Sequence, residues 1–304
     1  MSDFVDGFWS LYVAGITLVS IVACALLLTM QHKKRPAGEA VGTTGHQWDE
    51  DLAEYNNPLP KWWMWLFWIT IVFGLLYLVL YPGMGTFKGV LGWSSVGQYQ
   101  AEQASADTTY GPVFRKYASM DIEAIARDPQ AKVMGERMFL TYCSQCHQSD
   151  ARGATHFPNL ADNDWLWGGD PQAILATIMQ GRNGLMPPMG AAVGGPEGVK
   201  EVANYVLSLS GATHDAKLAA AGKAKFAACA ACHGPEAKGN TALGAPNLTD
   251  KIWLHGGSLA AISEQIDKGR SNLMPAHKDF LGPERSRIIA AYVWGLTAPP
   301  AAAK

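Results

Sequence analysis

From Phe8 to Met30 the chain runs 23 residues without a charged side chain, and from Trp62 to Tyr81 it runs another 20. A helix rises about 1.5 Å per residue, so either stretch is long enough to cross a hydrocarbon core of roughly 30 Å. The second is framed by Trp62, Trp63, Trp65 and Trp68 at one end and Tyr77 and Tyr81 at the other, the placement expected at two membrane–water interfaces. Lys61 precedes it and Pro82-Gly83 ends it. The first stretch reads as an uncleaved anchor: residues 1–7 hold Asp3 and Asp6 but no basic residue, and no small-residue cleavage site closes the run. Cys24, inside it, reads as a small packing residue. Lys33, Lys34, Arg35 and Lys61 lie between the stretches, none lies before the first, and Lys88 alone follows in residues 85–104. This bias predicts a cytoplasmic loop over 31–61, with the N-terminus and the long C-terminal part on the opposite side, which in a bacterium is the periplasm.

Beyond the second stretch, residues 85–129 are mixed polar and read as a tether, with one short helix around Asp121 to Arg127. Apolar residues then recur at helical spacing: Met134, Met138 and Phe139; Ile174, Leu175 and Ile178; Val199, Val202, Val206 and Leu209; and, far downstream, Ile288, Ile289, Tyr292, Val293 and Leu296. Loops rich in Gly and Pro separate them. The segment is an internal repeat. Cys143-Ser-Gln-Cys146-His147 returns as Cys229-Ala-Ala-Cys232-His233 at an offset of 86. After a two-residue insertion the offset is 88, and it carries Pro158-Asn159-Leu160, Trp165-Leu166, Gly181-Arg182 and Leu185-Met186-Pro187 onto Pro246-Asn247-Leu248, Trp253-Leu254, Gly269-Arg270 and Leu273-Met274-Pro275. Each copy has few large side chains, so its short helices are expected to wrap something large and apolar.

Composition narrows the class. The 304 residues carry 24 Lys and Arg against 26 Asp and Glu, a formal net charge of −2, which argues against nucleic-acid binding driven by bulk charge. A charged content of 16% beside 48% apolar residues agrees with a membrane segment. Five cysteines are too few for a disulfide scaffold, and four of them form the two Cys-x-x-Cys pairs. Cysteines three apart share one face of a helical turn, so both sulfurs can form thioethers with one haem while the following histidine binds its iron. A four-thiolate zinc site would place the second pair about 15–20 residues away, not 86, and a redox pair has no need of a histidine each time.

Two covalent haem c groups are therefore expected, on Cys143, Cys146 and His147 and on Cys229, Cys232 and His233. Met186 and Met274, in matching Leu-Met-Pro contexts, are the candidate sixth ligands; Met189 and His277 stand in matching positions three residues later but differ in type. The repeat alone leaves open whether each methionine serves its own copy's haem or the other's. Pro158 and Pro246 are candidates to accept the second ring N–H of His147 and His233. Arg182 and Arg270 read either as propionate partners or as surface residues, and Trp165 and Trp253 as packing on the haem edge. His32, His46, His156, His214 and His255 lack repeat partners of the same type and read as surface or loop residues. The predicted class is all-α: two N-terminal transmembrane helices (1–30 and 62–84) and the tether, then two tandem class I cytochrome c domains at 130–212 and 213–304.

This arrangement resembles the dihaem cytochrome c subunit, of the CcoP/FixP type, of cbb3-type cytochrome c oxidases. The paired haem motifs with their methionines carry the resemblance, together with Asn57-Pro58-Leu59-Pro60 leading into Trp62-Trp63-Met64-Trp65. It implies a chain in the bacterial inner membrane that accepts electrons from a donor cytochrome c. They would pass through two haems to a monohaem cytochrome c subunit, and thence to a haem–copper subunit that reduces oxygen and pumps protons. It also makes crossed ligation plausible, Met274 serving the haem on Cys143 and Cys146, and Met186 the haem on Cys229 and Cys232. A haem ligated by His and Met has no open position, so the expectation is a relay without catalytic residues of its own. Residues 86–304 carry 20 basic and 19 acidic side chains, and haem propionates would tip them acidic, which suits a basic donor. Intact Leu-Met-Pro motifs argue against a dihaem peroxidase, and the short 31–61 loop against a sensor. A freestanding membrane-tethered carrier serving another reductase is the alternative.

Overall fold

The computed structural model describes residues 6–31 and 38–297, so Asp3, His32 and the basic cluster Lys33, Lys34 and Arg35 lie outside the described residues. The chain divides into two compact units, residues 1–109 and 110–304.

In the first unit the two uncharged stretches are helices, α1 (Gly7–Gln31) and α2 (Lys61–Leu80), with mean hydropathies of 2.5 and 2.2 and almost no buried side chains. Long helices that are apolar on every face and yet exposed are suited to lipid. Between them β1 (Thr43–Trp48) and β2 (Leu52–Tyr55) form an antiparallel hairpin that the residue pattern does not announce. Past Tyr81 the chain loops out and returns, so that the amides of Val90 and Leu91 reach the carbonyls of Val79 and Leu80 left open at the end of α2 (2.9 and 3.1 Å). Thr86 donates its amide to Ser10 Oγ (2.8 Å), which puts the start of α1 beside the end of α2. The two helices are thus antiparallel, with both outer ends on one side. The expected tether is partly ordered: α3 (Ser95–Arg115) is a polar helix without a buried residue, and the unit boundary falls within it.

The second unit is helical, with local sequence signals at most boundaries. α4 (Ile122–Arg127) falls where the short helix is expected, and α5 (Pro129–Tyr142) opens on Asp128, whose carboxylate accepts from Gln130 N, with Pro129 at the first helical position. α6 (Ser144–His147) is a single turn carrying Cys146 and His147. α7 (Pro171–Gln180) is capped by Asp170 and ends at Gly181. β3 (Arg182–Met186) and α8 (Gly195–Leu209) complete the first copy. The second copy repeats the order with α9 (Ala216–Lys225), α10 (Ala227–His233), α11 (Leu259–Lys268), β4 (Arg270–Met274) and α12 (Lys278–Thr297), the last broken at Gly282.

Sequence copy and packing unit differ. The closing helix of the first copy, α8, packs on α9 and α11 of the second, while α12 packs on α4, α5 and α7 of the first. Two apolar cores result. One gathers Phe139, Ile174, Ile178, Ile288, Ile289 and Val293; the other gathers Val199, Val202, Val206, Phe226, Ile262 and Ile266. Glycine permits both crossings. An added Cβ at Gly135 would lie 2.7 Å from Tyr292 Cβ, and one at Gly222 would lie 2.8 Å from Val202 N. The rings of Phe139 and Tyr292, and of Tyr205 and Phe226, meet beside these glycines at 5.5 and 5.3 Å.

Candidate haem sites and the exchanged strands

Each Cys-x-x-Cys-His follows the opening helix of its copy in a tight helical turn. His147 N bonds Cys143 O (3.0 Å) and Gln148 N bonds Ser144 O (2.9 Å), which holds the three side chains on one short coil. The imidazoles of His147 and His233 are buried, and each ring Nδ1 lies 3.0 Å from a proline carbonyl, Pro158 O and Pro246 O respectively. These are the acceptors expected from the sequence. An acceptor there assigns the proton to Nδ1 and leaves the Nε2 lone pair available to a metal. Burial holds both rings below the ordinary histidine range against the opposing pull of that carbonyl, so both are neutral, as a metal ligand must be.

The cysteines are all free thiols. Burial, then the neighbouring Cys146, pushes the Cys143 thiol up to about 11, and burial with Cys232 raises Cys229. Reactive Cys-x-x-Cys pairs have a depressed thiol, so Cys143 and Cys229 are not poised as attacking thiolates. Among the described residues no three His, Cys, Asp or Glu side chains converge as a metal site.

The methionines are carried by the exchanged strands. β3 and β4 pair antiparallel, with Arg182 opposite Met274 and Met186 opposite Arg270, so each strand leads across into the other copy's core. Met274 packs against the core that Cys143, Leu160 and Trp165 also line, and Met186 against the core lined by Cys229, Leu248 and Trp253. Gly181 and Gly269 are required at the crossing. Their φ values of 71° and 70°, with ψ near 180°, belong to a region open essentially to glycine alone. Each abuts the opposite strand: Cβ on Gly181 would lie 2.8 Å from Ala276 N, and on Gly269 2.6 Å from Pro188 N.

The rivals travel with the strands. Met189 packs on the second core with its amide on Ile266 O (2.8 Å), and His277 holds its Nδ1 2.7 Å from Pro275 O. Arg182 donates Nε to Thr177 Oγ1 (2.8 Å) and lies over the Trp167 ring at 5.0 Å. Arg270, its repeat mate, has a buried Nε with no protein partner. A buried guanidinium N–H without an acceptor matches the carboxylate of a haem propionate, and this donor set of paired thiols, imidazole and a thioether on the same core fits haem c. His46 and His214 are on the surface and His156 and His255 are in loops, as expected; the last two also contact one another, which the mismatch of their repeat mates concealed.

Comparison with known proteins agrees with this architecture. Residues 40–88 match the model of the N-terminal domain of cytochrome oxidase-cbb3, FixP, and residues 130–206 and 217–293 each match that of cytochrome c oxidase, cbb3-type, subunit III. The chain is 54% identical over 297 residues to a cbb3-type cytochrome c oxidase subunit CcoP of Rubrivivax gelatinosus, covering 98% of this chain and 97% of that one. It is 38% identical to CcoP of Cereibacter sphaeroides over 88% of this chain and 99% of that one. With FixP of Rhizobium meliloti it shares 39% identity over 88% and 98%. Two apolar helices, two tandem cytochrome domains and similarity along nearly the whole length place this chain in the CcoP/FixP family of cbb3-type cytochrome c oxidase subunits.

Proposed function

We propose that the chain is the membrane-anchored dihaem relay of its oxidase. It takes electrons from a donor cytochrome c and hands them to the monohaem cytochrome c subunit, which feeds the haem–copper subunit. One haem c would be held by Cys143, Cys146 and His147, with Met274 supplying a thioether. The other would be held by Cys229, Cys232 and His233 with Met186. The observation that carries this reading is the strand exchange, which brings each Leu-Met-Pro methionine to the core beside the other copy's cysteines.

When bound, haem c supplies an iron that accepts and releases one electron at a time. The protein does the rest. Pro158 and Pro246 orient the imidazoles, and Met186 and Met274 would supply thioether sulfur, which favours reduced iron. Trp165 and Trp253, packed on the two cores, would lie at the haem edge, and Arg270 would pair with a propionate. The antiparallel α1–α2 pair sits in the bacterial inner membrane, with the 31–61 segment cytoplasmic and the haem domains, 130–212 and 213–304 by sequence copy, periplasmic beyond the 85–129 tether.

The test is gentle detergent extraction of membranes containing the chain, followed by size separation, pyridine haemochrome spectra and haem staining of denatured bands. A band of this mass with two covalent haems, comigrating with a second c-type subunit, b-type haem and oxygen consumption, is the expected result. A two-haem chain running alone is instead a freestanding carrier.

A further inference from the structure

Where the two haem-site cores meet, the repeat produces two equivalent contacts of different chemistry. Trp167 and His255 are repeat mates, 88 residues apart, and so are His156 and Gly244, each just before the second residue of a short bridge (Ala154 with Phe157, Asn240 with Ala245). Both of the latter have left-handed backbone, with φ of 78° and 67°. On one side the Trp167 ring covers Gly244 so closely that a Cβ there would lie 2.9 Å from its outer edge, and Arg182 stacks on that ring. On the other side His255 meets His156, Nδ1 to Nδ1 at 2.8 Å, and the His156 amide donates to Leu254 O at 2.8 Å. Asn272 Nδ2 lies 3.0 Å from His255 Nε2. If that amide donates, the proton of neutral His255 sits on Nδ1 and is given to His156.

We propose that His156 and His255 are positioning residues for passage of an electron between the two haem sites, forming an acid-labile latch that holds the loop before Pro158 against the loop after Trp253. This inference rests on the relay reading above. The latch needs one imidazole to accept, so it fails once both rings are protonated. Burial first, then Arg270 on β4 and His156, hold His255 at about 4, and a propionate paired with Arg270 would oppose the second of these. A histidine depressed in the closed junction favours closure above its free value of about 6.5, and that contribution is lost progressively as pH falls from there towards 4. Trp167 on Gly244 has no such dependence, so the junction loosens on one side only.

The experiment uses the full chain in detergent. Hydrogen exchange of the His156 amide, corrected for intrinsic rate, is followed from pH 7.5 to 5, beside the rate of inter-haem electron transfer after photoreduction. Protection should fall about tenfold over that range, after allowance for partial exposure, and the transfer rate should fall with it. His156→Gly combined with His255→Trp copies the Trp167–Gly244 side and should keep the protection of Leu254-facing backbone and the transfer rate level with pH. His255→Gln, which can still hydrogen-bond without titrating, should also flatten the profile. A flat wild-type profile overturns the proposal, as does a profile that persists in the copied pair, or a transfer rate indifferent to latch opening. A chain without two haems, or without inter-haem transfer at any pH, overturns the relay reading and with it the positioning role, while the exchange profile separately judges whether the latch exists.

Discussion

Gly181→Ala strikes the strand exchange at its narrowest point. The backbone there (φ 71°, ψ −178°) lies in a region where a side chain costs about 1–3 kcal/mol. The new Cβ would also lie within 2.9 Å of Pro275 C and 2.8 Å of Ala276 N, backbone atoms of the opposing strand that lack the freedom of a side-chain tip. Together these effects give a destabilisation of about 3 kcal/mol, or a fall in Tm of roughly 6–12 °C for a unit of this size. Gly184→Ala, in the same strand but with nothing within 4 Å, is the control and should move Tm little. Thermal unfolding of the haem-loaded chain, followed in the far-ultraviolet and at the haem band, reads both. Because the displaced backbone, Met274 to Ala276, ends β4 and continues just beyond it, the substitution in the first copy should also weaken the iron–sulfur charge-transfer band of the haem that Met274 is proposed to serve. Equal melting of the two variants would refute the argument.

Other expectations follow from single contacts. Met274→Ala should open the haem site on Cys143 and Cys146 to carbon monoxide, and Met186→Ala the site on Cys229 and Cys232, whereas Met189→Ala should open neither; removing one cysteine pair at a time assigns each spectrum. Hydrogen bonds from Lys116 and then Tyr117 hold the Asp128 carboxyl at about 2, so its contribution to stability is present above about pH 4 and is lost as pH falls towards 2. Acid titration of unfolding should therefore lose a step in Asp128→Asn. Phe139→Ala, which empties a fully buried site against Tyr292, should cost about 3–5 kcal/mol in chemical denaturation.

The membrane helices, the repeat and the haem motifs are legible because each is a local pattern: an uncharged run, a fixed offset, a spacing of three. The apolar faces of α8 and α12 are legible too, since Val199, Val202 and Val206, and Ile288, Ile289 and Val293, point inward as their spacing implies. Their partners are not. Periodicity says that a face is buried but not against what, and two copies alike in pattern satisfy either pairing. β3 and β4 are hidden for another reason, since Arg-Asn-Gly-Leu-Met and Arg-Ser-Asn-Leu-Met do not alternate and pair only because the crossing brings them together. α3 has neither an apolar stripe nor a buried residue, with Gly97, Gly111 and Pro112 in its length, so its pattern is that of a linker. The His156–His255 contact is concealed by the repeat itself, because each faces a mate of another type.

The exchange has a consequence for how the molecule is made. The core around Cys229 is built from α8 through α11, a continuous stretch of chain, whereas the core around Cys143 needs α4 to α7 and then α12 from the far end. One unit is nested inside the other. A chain emerging N-terminus first presents Cys143 and Cys146 early, yet α12, which completes the core beside them, is made after α8 to α11. The first-made pair, Cys143 and Cys146, therefore lacks its full enclosure until α12 has followed.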